Sequence, residues 1–588
     1  MKKSIVVFAC LVLIICSATR AMMLADKGSA AKRPLRFRIM ADEVPAGWGN
    51  HIPKAEEAYW GWWSDYRRPS VAEIPEAGVD TSNGFVLWHR SNSEPVFQNS
   101  APKAAEVISE LKGYACKGEY DRIIFEVYAV VILKKVRVEV TELKGPDGFV
   151  ISKLFLEPRW PVYETESGRP GYLVRPPKEA SIPSGRNQQV WICFKVPVDA
   201  KPGLYHGQVS ISAEGLRSIR LPIQIEVYPF DLVPSSLANG FWYSNISSAH
   251  APIDLDDMRE MGMTAVGFTG VPIPFYHTAG LDLSGLERAI KLLQKHGFAK
   301  KDGPKSCWYN YAFRTYDSGY LMSDKLNPKK IVQTFVAIEK LYQKHPGWPD
   351  LIVCLTDELG WEEKPRLRNQ NKKFFEEHPE KWPKPGQRLL SARRTGQMIK
   401  SLNLKRVEPA FIANRRQALE VLSPVFGGYC NLSAQYGAQD IEKMTEDGLE
   451  FYTYNTWRSR IAFGYYNWKC SLHGSKGNLQ WGYGWSDHKL VVRIGDRRLH
   501  HVTYEQMAEG TDDVRYLNTC EEWIKKDPTK SAARAAQALL DEIAGHLELP
   551  WTYGPAGRRS KNFWKQDLCD RYRRKIATAI MAIMKQAD

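Results

Sequence analysis

Between about residues 90 and 233 apolar side chains recur at every second position in short runs, as in Val136-Arg137-Val138-Glu139-Val140, 190–196 and 221–227. Alternation of this kind is the mark of half-buried strands. Turn residues separate the runs, for example at 199–203 within Val196-Pro-Val-Asp-Ala-Lys-Pro-Gly-Leu-Tyr-His-Gly207, and the spacing predicts an antiparallel β-sandwich. After 230–235 the period changes, and short apolar runs alternate with amphipathic segments of helical period. Strands are expected at 240–243, 264–268, 307–309, from Leu351 onward, and at 407–412, 428–432 and 451–454, with helices at 255–261, 283–295, 329–343, 391–402, 417–422 and 439–446. Repeated strand-then-helix units predict an α/β region with a parallel sheet, and a (β/α)8 TIM-like barrel fits its length; the glycine fingerprint of a nucleotide-binding open sheet is absent. The Leu351 run is then the fourth strand. Residues 507–525, 531–547 and 562–585 read as helices. The expected organisation is a leader at 1–21, an N-terminal β-sandwich at 22–233, a catalytic barrel at 236–525 and a C-terminal helical extension at 526–588.

The leader changes the compartment. Lys2 and Lys3 precede an apolar stretch at 5–15, followed by small Ser17, Ala18 and Ala21, the layout of a secretory signal. A lipid anchor is the lesser reading, because Cys16 is preceded by the bulky Ile15. No later stretch reaches the roughly 18 to 20 apolar residues of a membrane span, so no stable membrane insertion is expected, and the mature chain is placed outside the cell or in a periplasm. Removing Lys2, Lys3 and Arg20 with the leader takes the formal charge from +15 to +12. That excess is dispersed; it suits weak attraction to anionic glycans and does not select nucleic acid. The run Arg571-Tyr572-Arg573-Arg574-Lys575 reads as a solvated helix face. Of ten cysteines, two fall in the leader, and the rest form neither a CxxC pair nor a zinc-spaced cluster, so no metal or other cofactor is expected. Cys193, Cys354 and Cys430 lie in strand-like runs and read as buried small hydrophobes. Oligomeric state is not written in the sequence.

Candidate chemistry centres on Leu351-Ile-Val-Cys-Leu-Thr-Asp-Glu358, an apolar run of the kind buried on both faces of a parallel sheet, ending in two carboxylates. Reacting groups of barrels of this type sit at strand C-termini. A helix cap or a surface ion pair is the competing reading of Asp357 and Glu358. Around them, polar and aromatic residues collect after the expected strands: Trp308, Tyr309 and Asn310; Asn414; Gln435; Tyr452, Tyr454 and Trp457; Trp481, Tyr483 and Trp485. Rings with amides and hydroxyls suit a pyranose, which has apolar faces and a hydroxyl rim. Trp60, Trp62 and Trp63 with Tyr59 read as packing before they read as a glycan platform, and the charged insert 362–387 reads as a surface loop.

The sandwich motif 196–205, Thr356-Asp357-Glu358, Arg460-Ile-Ala-Phe-Gly-Tyr-Tyr-Asn-Trp468, Gly477-Asn-Leu-Gln-Trp-Gly-Tyr483 and Tyr504-Glu-Gln-Met-Ala-Glu-Gly-Thr-Asp-Asp-Val-Arg-Tyr-Leu517 together resemble glycoside hydrolase family 123 and its uncharacterised relatives. The match spans most of residues 100–520, and its specificity lies in the order and spacing of the motifs. The resemblance implies a retaining exo-β-N-acetylgalactosaminidase in which the substrate's acetamido oxygen is the nucleophile, an exception to the usual two-carboxylate scheme. Asp357 would then accept the acetamido N–H, and Glu358, protonated at working pH, would serve as acid and then base. Tyr454, with Tyr452 as the other candidate, would donate to the acetamido carbonyl. Two further readings stand beside this one: a hydrolase of the same architecture acting on a different glycoside, anionic ones included, and a non-catalytic carbohydrate-binding protein. Either way the expected partner is a glycan or glycoconjugate.

Overall fold

The computed structural model describes residues 71–90, 96–163, 168–269, 271, 281–301, 307–310, 328–355, 387–413, 416–432, 437–454, 456, 458–484, 490–549 and 566–587. The leader, the Tyr59–Trp63 cluster and all but the last residue of the 362–387 insert lie outside them.

The period-two region forms strands β1 (Phe85–Trp88), β2 (Leu111–Ala115), β3 (Tyr120–Ala129), β4 (Arg137–Val140), β5 (Leu143–Lys144), β6 (Val150–Ile151), β7 (Leu156–Tyr163), β8 (Pro170–Val174), β9 (Arg186–Lys195), β10 (Gly203–Ser212) and β11 (Ile219–Val227). They build two sheets, ordered β1-β3-β9-β7-β8 and β2-β11-β10-β5-β6, with β4 also pairing β10. Alternation decides what faces inward. Phe125, Val127, Val190 and Ile192 of the first sheet share one core with Val209, Ile211, Ile223 and Ile225 of the second. The expectation of wholly antiparallel pairing needs one correction, because β2 runs parallel to β11, with Leu111 opposite Ile223. The chain leaves β2 through the short turn 116–119 directly into β3 of the other sheet, so β2 is an edge strand whose direction is set by that crossing. Gly113 permits it: a Cβ there would lie 2.9 Å from Ile123 Cδ1.

The alternating region supplies β12 (Ala238–Tyr243), α1 (Ala251–Glu260), β13 (Ala265–Phe268), α2 (Ser284–Lys295), β14 (Cys307–Asn310), α3 (Pro328–Gln343), β15 (Leu351–Cys354), α4 (Gln387–Lys400), β16 (Val407–Ala413), α5 (Arg416–Leu422), β17 (Gly428–Leu432), α6 (Ala438–Glu446), β18 (Glu450–Tyr454), α7 (Arg460–Phe463), α8 (Tyr465–Leu472) and β19 (Gly477–Trp481). Strands β12 to β19 close into a barrel, each paired in parallel with the next and β19 with β12. Every second residue points inside, where Ala238, Trp242, Ala265, Ile352, Cys354, Ala410, Ile412, Tyr452, Tyr454 and Leu479 form a separate core. The outer phase, including Phe241, Val266, Leu351, Val353, Phe411 and Phe451, packs with the helices. β15 is therefore buried on both sides, as its unbroken apolar composition requires. Gly267 makes room inside, since a Cβ there would stand 2.5 Å from the Trp242 ring.

After the barrel come a hairpin, β20 (Val491–Ile494) with β21 (Arg497–His500), and helices α9 (Val502–Lys526), α10 (Ser531–Gly545) and α11 (Gln566–Ala587). Val492 and Leu499 of the hairpin belong to the sandwich core although they follow the barrel in sequence. α9 packs on α7, α8, α10 and α11 and touches β8 of the sandwich. The reading of 571–575 as one solvated face is corrected here. Arg571, Arg574 and Lys575 are exposed, but helical rotation turns Tyr572 and Arg573 to the side of Cys569 and Ile576, and Arg573 meets Asp513 of α9 at 2.6 Å. Cys116, Cys193, Cys354, Cys470, Cys520 and Cys569 are buried thiols. No described helix is long and apolar enough to cross a membrane.

Candidate active site at the carboxyl ends of the barrel strands

β15 ends at Cys354, and Asp357 and Glu358 come three and four residues later in the sequence, outside the described residues. Asn414, Gln435, Trp457 and Trp485 lie outside them too. Trp308, Tyr309 and Asn310 are described as backbone: they form β14, where Trp308 is level with Ile352 and Asn310 with Cys354, so Asn310 ends its strand beside the end of β15.

Three described side chains gather at the carboxyl end of the barrel interior. Trp242 of β12 meets Tyr454 of β18 edge to face, with ring centroids 6.3 Å apart, and Trp481 of β19 packs on the same cluster while remaining partly exposed. Tyr452 lies one inward position, about 6.6 Å, deeper along β18. It is fully buried, and its hydroxyl donates to Glu450 Oε2 at 3.4 Å, toward the amino end of the strand. Of the two tyrosines, Tyr454 occupies the layer next to the strand ends. Loops seven and eight are tied together there, because Arg458 Nη2 donates to the Trp481 carbonyl at 2.9 Å. Neither Trp242 nor Arg458 was among the residues expected from sequence. The inward phase Ala238-Gly240-Trp242 carries a signal for the first, whereas nothing local marks the second.

Tyr483 turns away from the sugar-binding role that its place after a strand suggested. It is buried, and its hydroxyl donates to Asp257 Oδ2 of α1 at 2.8 Å. Flanking Gly482 and Gly484 have φ of 107° and 69°, left-handed conformations that let the chain fold the ring back under the loop. Burial, then the Asp257 and Asp254 charges, push its phenol well above the usual range. Next to it Asp254 is a charge hub, accepting from Tyr243 at 2.6 Å, Arg498 Nε at 2.6 Å and Arg493 Nη2 at 2.7 Å. These groups form a rigid shelf beneath the strand-eight loop.

A cleft of about 470 Å³ opens at the amino ends of β16 to β18 and includes Asp350, Lys405, Arg406, Glu408 and Asp447. Its Arg406 is spent on Asp350 at 2.6 Å. It lies at the end of the barrel opposite the strand carboxyl termini. Among the described residues no three or more His, Cys, Asp or Glu side chains cluster as a metal site would require.

No family model matches the chain, and no curated protein matches it. In fold it is similar to a family 123 glycoside hydrolase from Clostridium perfringens, described in connection with glycolipid glycan hydrolysis, with a TM-score of 0.59 and 12% identity over 86% of this chain and 98% of that one. This is the family that the sequence motifs resemble, and at this identity the likeness concerns the fold alone. A family 5 xyloglucanase from Bacteroides ovatus (TM-score 0.30, 10% identity, 69% of this chain and 98% of that one) and a family 39 glycoside hydrolase from Bacteroides cellulosilyticus WH2 (0.32, 10%, 68% and 82%) also align, too loosely to carry an argument.

Proposed function

We propose that this chain is an exported glycoside hydrolase that removes a terminal β-linked 2-acetamido sugar of the GalNAc type, with retention and with the substrate's own acetamide as nucleophile. The observation that carries this reading is the place of β15 as the fourth strand of a closed parallel barrel, with Asp357-Glu358 following it in the sequence. Strand carboxyl ends are where barrels of this kind hold their chemistry. The likeness in fold to a family 123 enzyme over 86% of this chain supports the same assignment.

In the first step the acetamido carbonyl oxygen attacks the anomeric carbon as the glycosidic C–O bond breaks. Glu358 gives its proton to the departing oxygen. Asp357 accepts the acetamido N–H, which orients the nucleophile and stabilises the positive charge of the oxazolinium ring. In the second step Glu358 takes a proton from water, the water oxygen attacks the anomeric carbon from the face the leaving group vacated, and the ring opens to the free β-sugar. Trp481, partly exposed, offers a ring face to the sugar, buried Trp242 backs Tyr454, and the Tyr454 hydroxyl donates to the acetamido carbonyl. The leader at 1–21 is the reason for export, and 22–233, 236–525 and 526–588 are the proposed units.

Purified mature protein offered aryl β-GalNAc, β-GlcNAc and β-Gal is expected to release phenol from the first and little or none from the last. Failure to cleave any of the three, with folded protein, overturns the reading.

A further inference from the structure

The hairpin β20–β21 leaves the barrel after the strand-eight loop and buries Val492 and Leu499 in the sandwich. Directly after it, His501 stacks edge to face on Tyr172 of β8 at 5.1 Å and forms an isolated bridge with it. The described start of the strand-eight loop, Trp481 to Gly484, thus borders an element that answers to the sandwich. What joins the two is a chain of buried charges. The Tyr483 hydroxyl donates to Asp257 Oδ2, and Asp257 Oδ1 lies 2.7 Å from His500 Nε2. His500 Nδ1 lies 2.8 Å from Glu505 Oε1 of α9, and Glu505 is paired through Oε2 with Arg122 of sandwich strand β3 at 3.3 Å. Arg122 also donates to the Glu505 carbonyl at 2.8 Å and lies 2.9 Å from Glu509.

We propose that His500 is a positioning residue for the substrate loop after the eighth barrel strand, holding Tyr483 through Asp257, and that Arg122 of the sandwich completes the clamp by fixing Glu505. The proposal rests on the glycosidase reading for the meaning of the loop, and on the hydrogen-bond chain alone for its mechanics.

An imidazole between two carboxylates serves both only when both ring nitrogens carry protons. The groups that face it favour that state. From α1 there is Asp257, with Asp254 beyond it tied to Arg498 and Arg493 of the hairpin; from α9 there are Glu505 and the Tyr504 ring, edge to face at 5.1 Å; from the loop Tyr483; and from the sandwich Arg122 behind Glu505. Burial works against the charge, but Asp257 and Glu505 outweigh it and carry the imidazole up to about 9. Loss of that proton leaves one carboxylate facing a bare nitrogen lone pair, which loosens the grip on Asp257 and hence on Tyr483.

The test compares wild type with His500→Gln and with Tyr483→Phe, which removes only the hydroxyl that Asp257 holds. Hydrogen exchange of segment 477–484, corrected for intrinsic rates between pH 7 and 10, needs no turnover. Wild-type protection is expected to fall through about pH 9, while both variants exchange several-fold faster at pH 7 and show no step at that pH. On a cleaved aryl glycoside the same variants are expected to raise KM several-fold with kcat kept within about twofold, and the double variant to add little to either. Unchanged protection of 477–484 in His500→Gln overturns the proposal. So does loss of protection spread equally to 351–355 and 205–211, which marks a merely structural role. Loosening of 477–484 in a protein that cleaves none of the glycosides supports the clamp and overturns the hydrolase reading instead.

Discussion

Tyr454 and Tyr452 stand two residues apart on one face of one strand, and that spacing separates their chemistry. Tyr452 spends its hydroxyl on Glu450 inside the barrel, whereas Tyr454 shares the top layer with Trp242 and Trp481. In the proposed mechanism the carbonyl oxygen that Tyr454 donates to attacks as the nucleophile and gives up electron density, so Tyr454 orients more than it activates. Tyr454→Phe is therefore expected to lower kcat/KM by about 10- to 100-fold, while Tyr452→Phe changes it less than about threefold; equal effects measured by steady-state kinetics would reverse the assignment. Asp357 and Glu358 were conspicuous in the sequence because acids seldom end an apolar run so abruptly. Tyr483 was not legible as a core residue. An aromatic after a strand looks the same whether it faces a pocket or a shelf, and here two left-handed glycines decide.

Helices and strands obey periodicity, so the expected elements recur in the structure with boundaries moved by a few residues: α9 starts at Val502 where 507 was expected, and β16 runs to Ala413 where 412 was. Partners across elements are harder to read, because pairing direction and inter-element charges depend on residues far apart in the chain. Hence the parallel β2–β11 pair was missed, and Arg573 was taken for a surface cation. Arg573 stands buried with Asp513 at 2.6 Å, Glu119 and Asp121 at 3.8 Å, and the Tyr516 ring at 5.4 Å. Removing Arg573 leaves Asp513 with Arg460 at 2.7 Å and takes a cation away from the buried Glu119 and Asp121 carboxyls. Arg573→Ala is expected to cost about 3–5 kcal/mol in denaturant unfolding, and Arg574→Ala, on the exposed side of the same helix, under about 0.5. A loss below 1 kcal/mol for Arg573→Ala would show that the pair is not buried as described.

Across the whole molecule, sandwich, barrel and C-terminal helices are joined by acids that outnumber the bases near them. Burial, with Asp512 adding to it against Arg573, pushes the Glu119 carboxyl up to about 8, and burial pushes Asp121 up to about 7 against the same arginine. His500 is raised to about 9. All three hold a proton more tightly folded than unfolded, from ordinary values of 4.5, 3.8 and 6.5, so each contributes stability that is complete at low pH and lost as pH climbs through the folded value. Asp570, held low chiefly by Arg460 despite burial, acts in the opposite sense and only in strong acid. The melting temperature is expected to fall steadily from pH 6 to pH 9; a rise over that interval would contradict the buried network. The buried network bears on stability whatever the substrate, whereas the proposed function requires that the barrel work on an acetamido sugar. One ratio decides that: kcat/KM for aryl β-GalNAc over aryl β-Gal, measured on the same preparation. A site whose nucleophile is the acetamide should favour the first by roughly 10⁴, and a ratio near one would contradict substrate assistance.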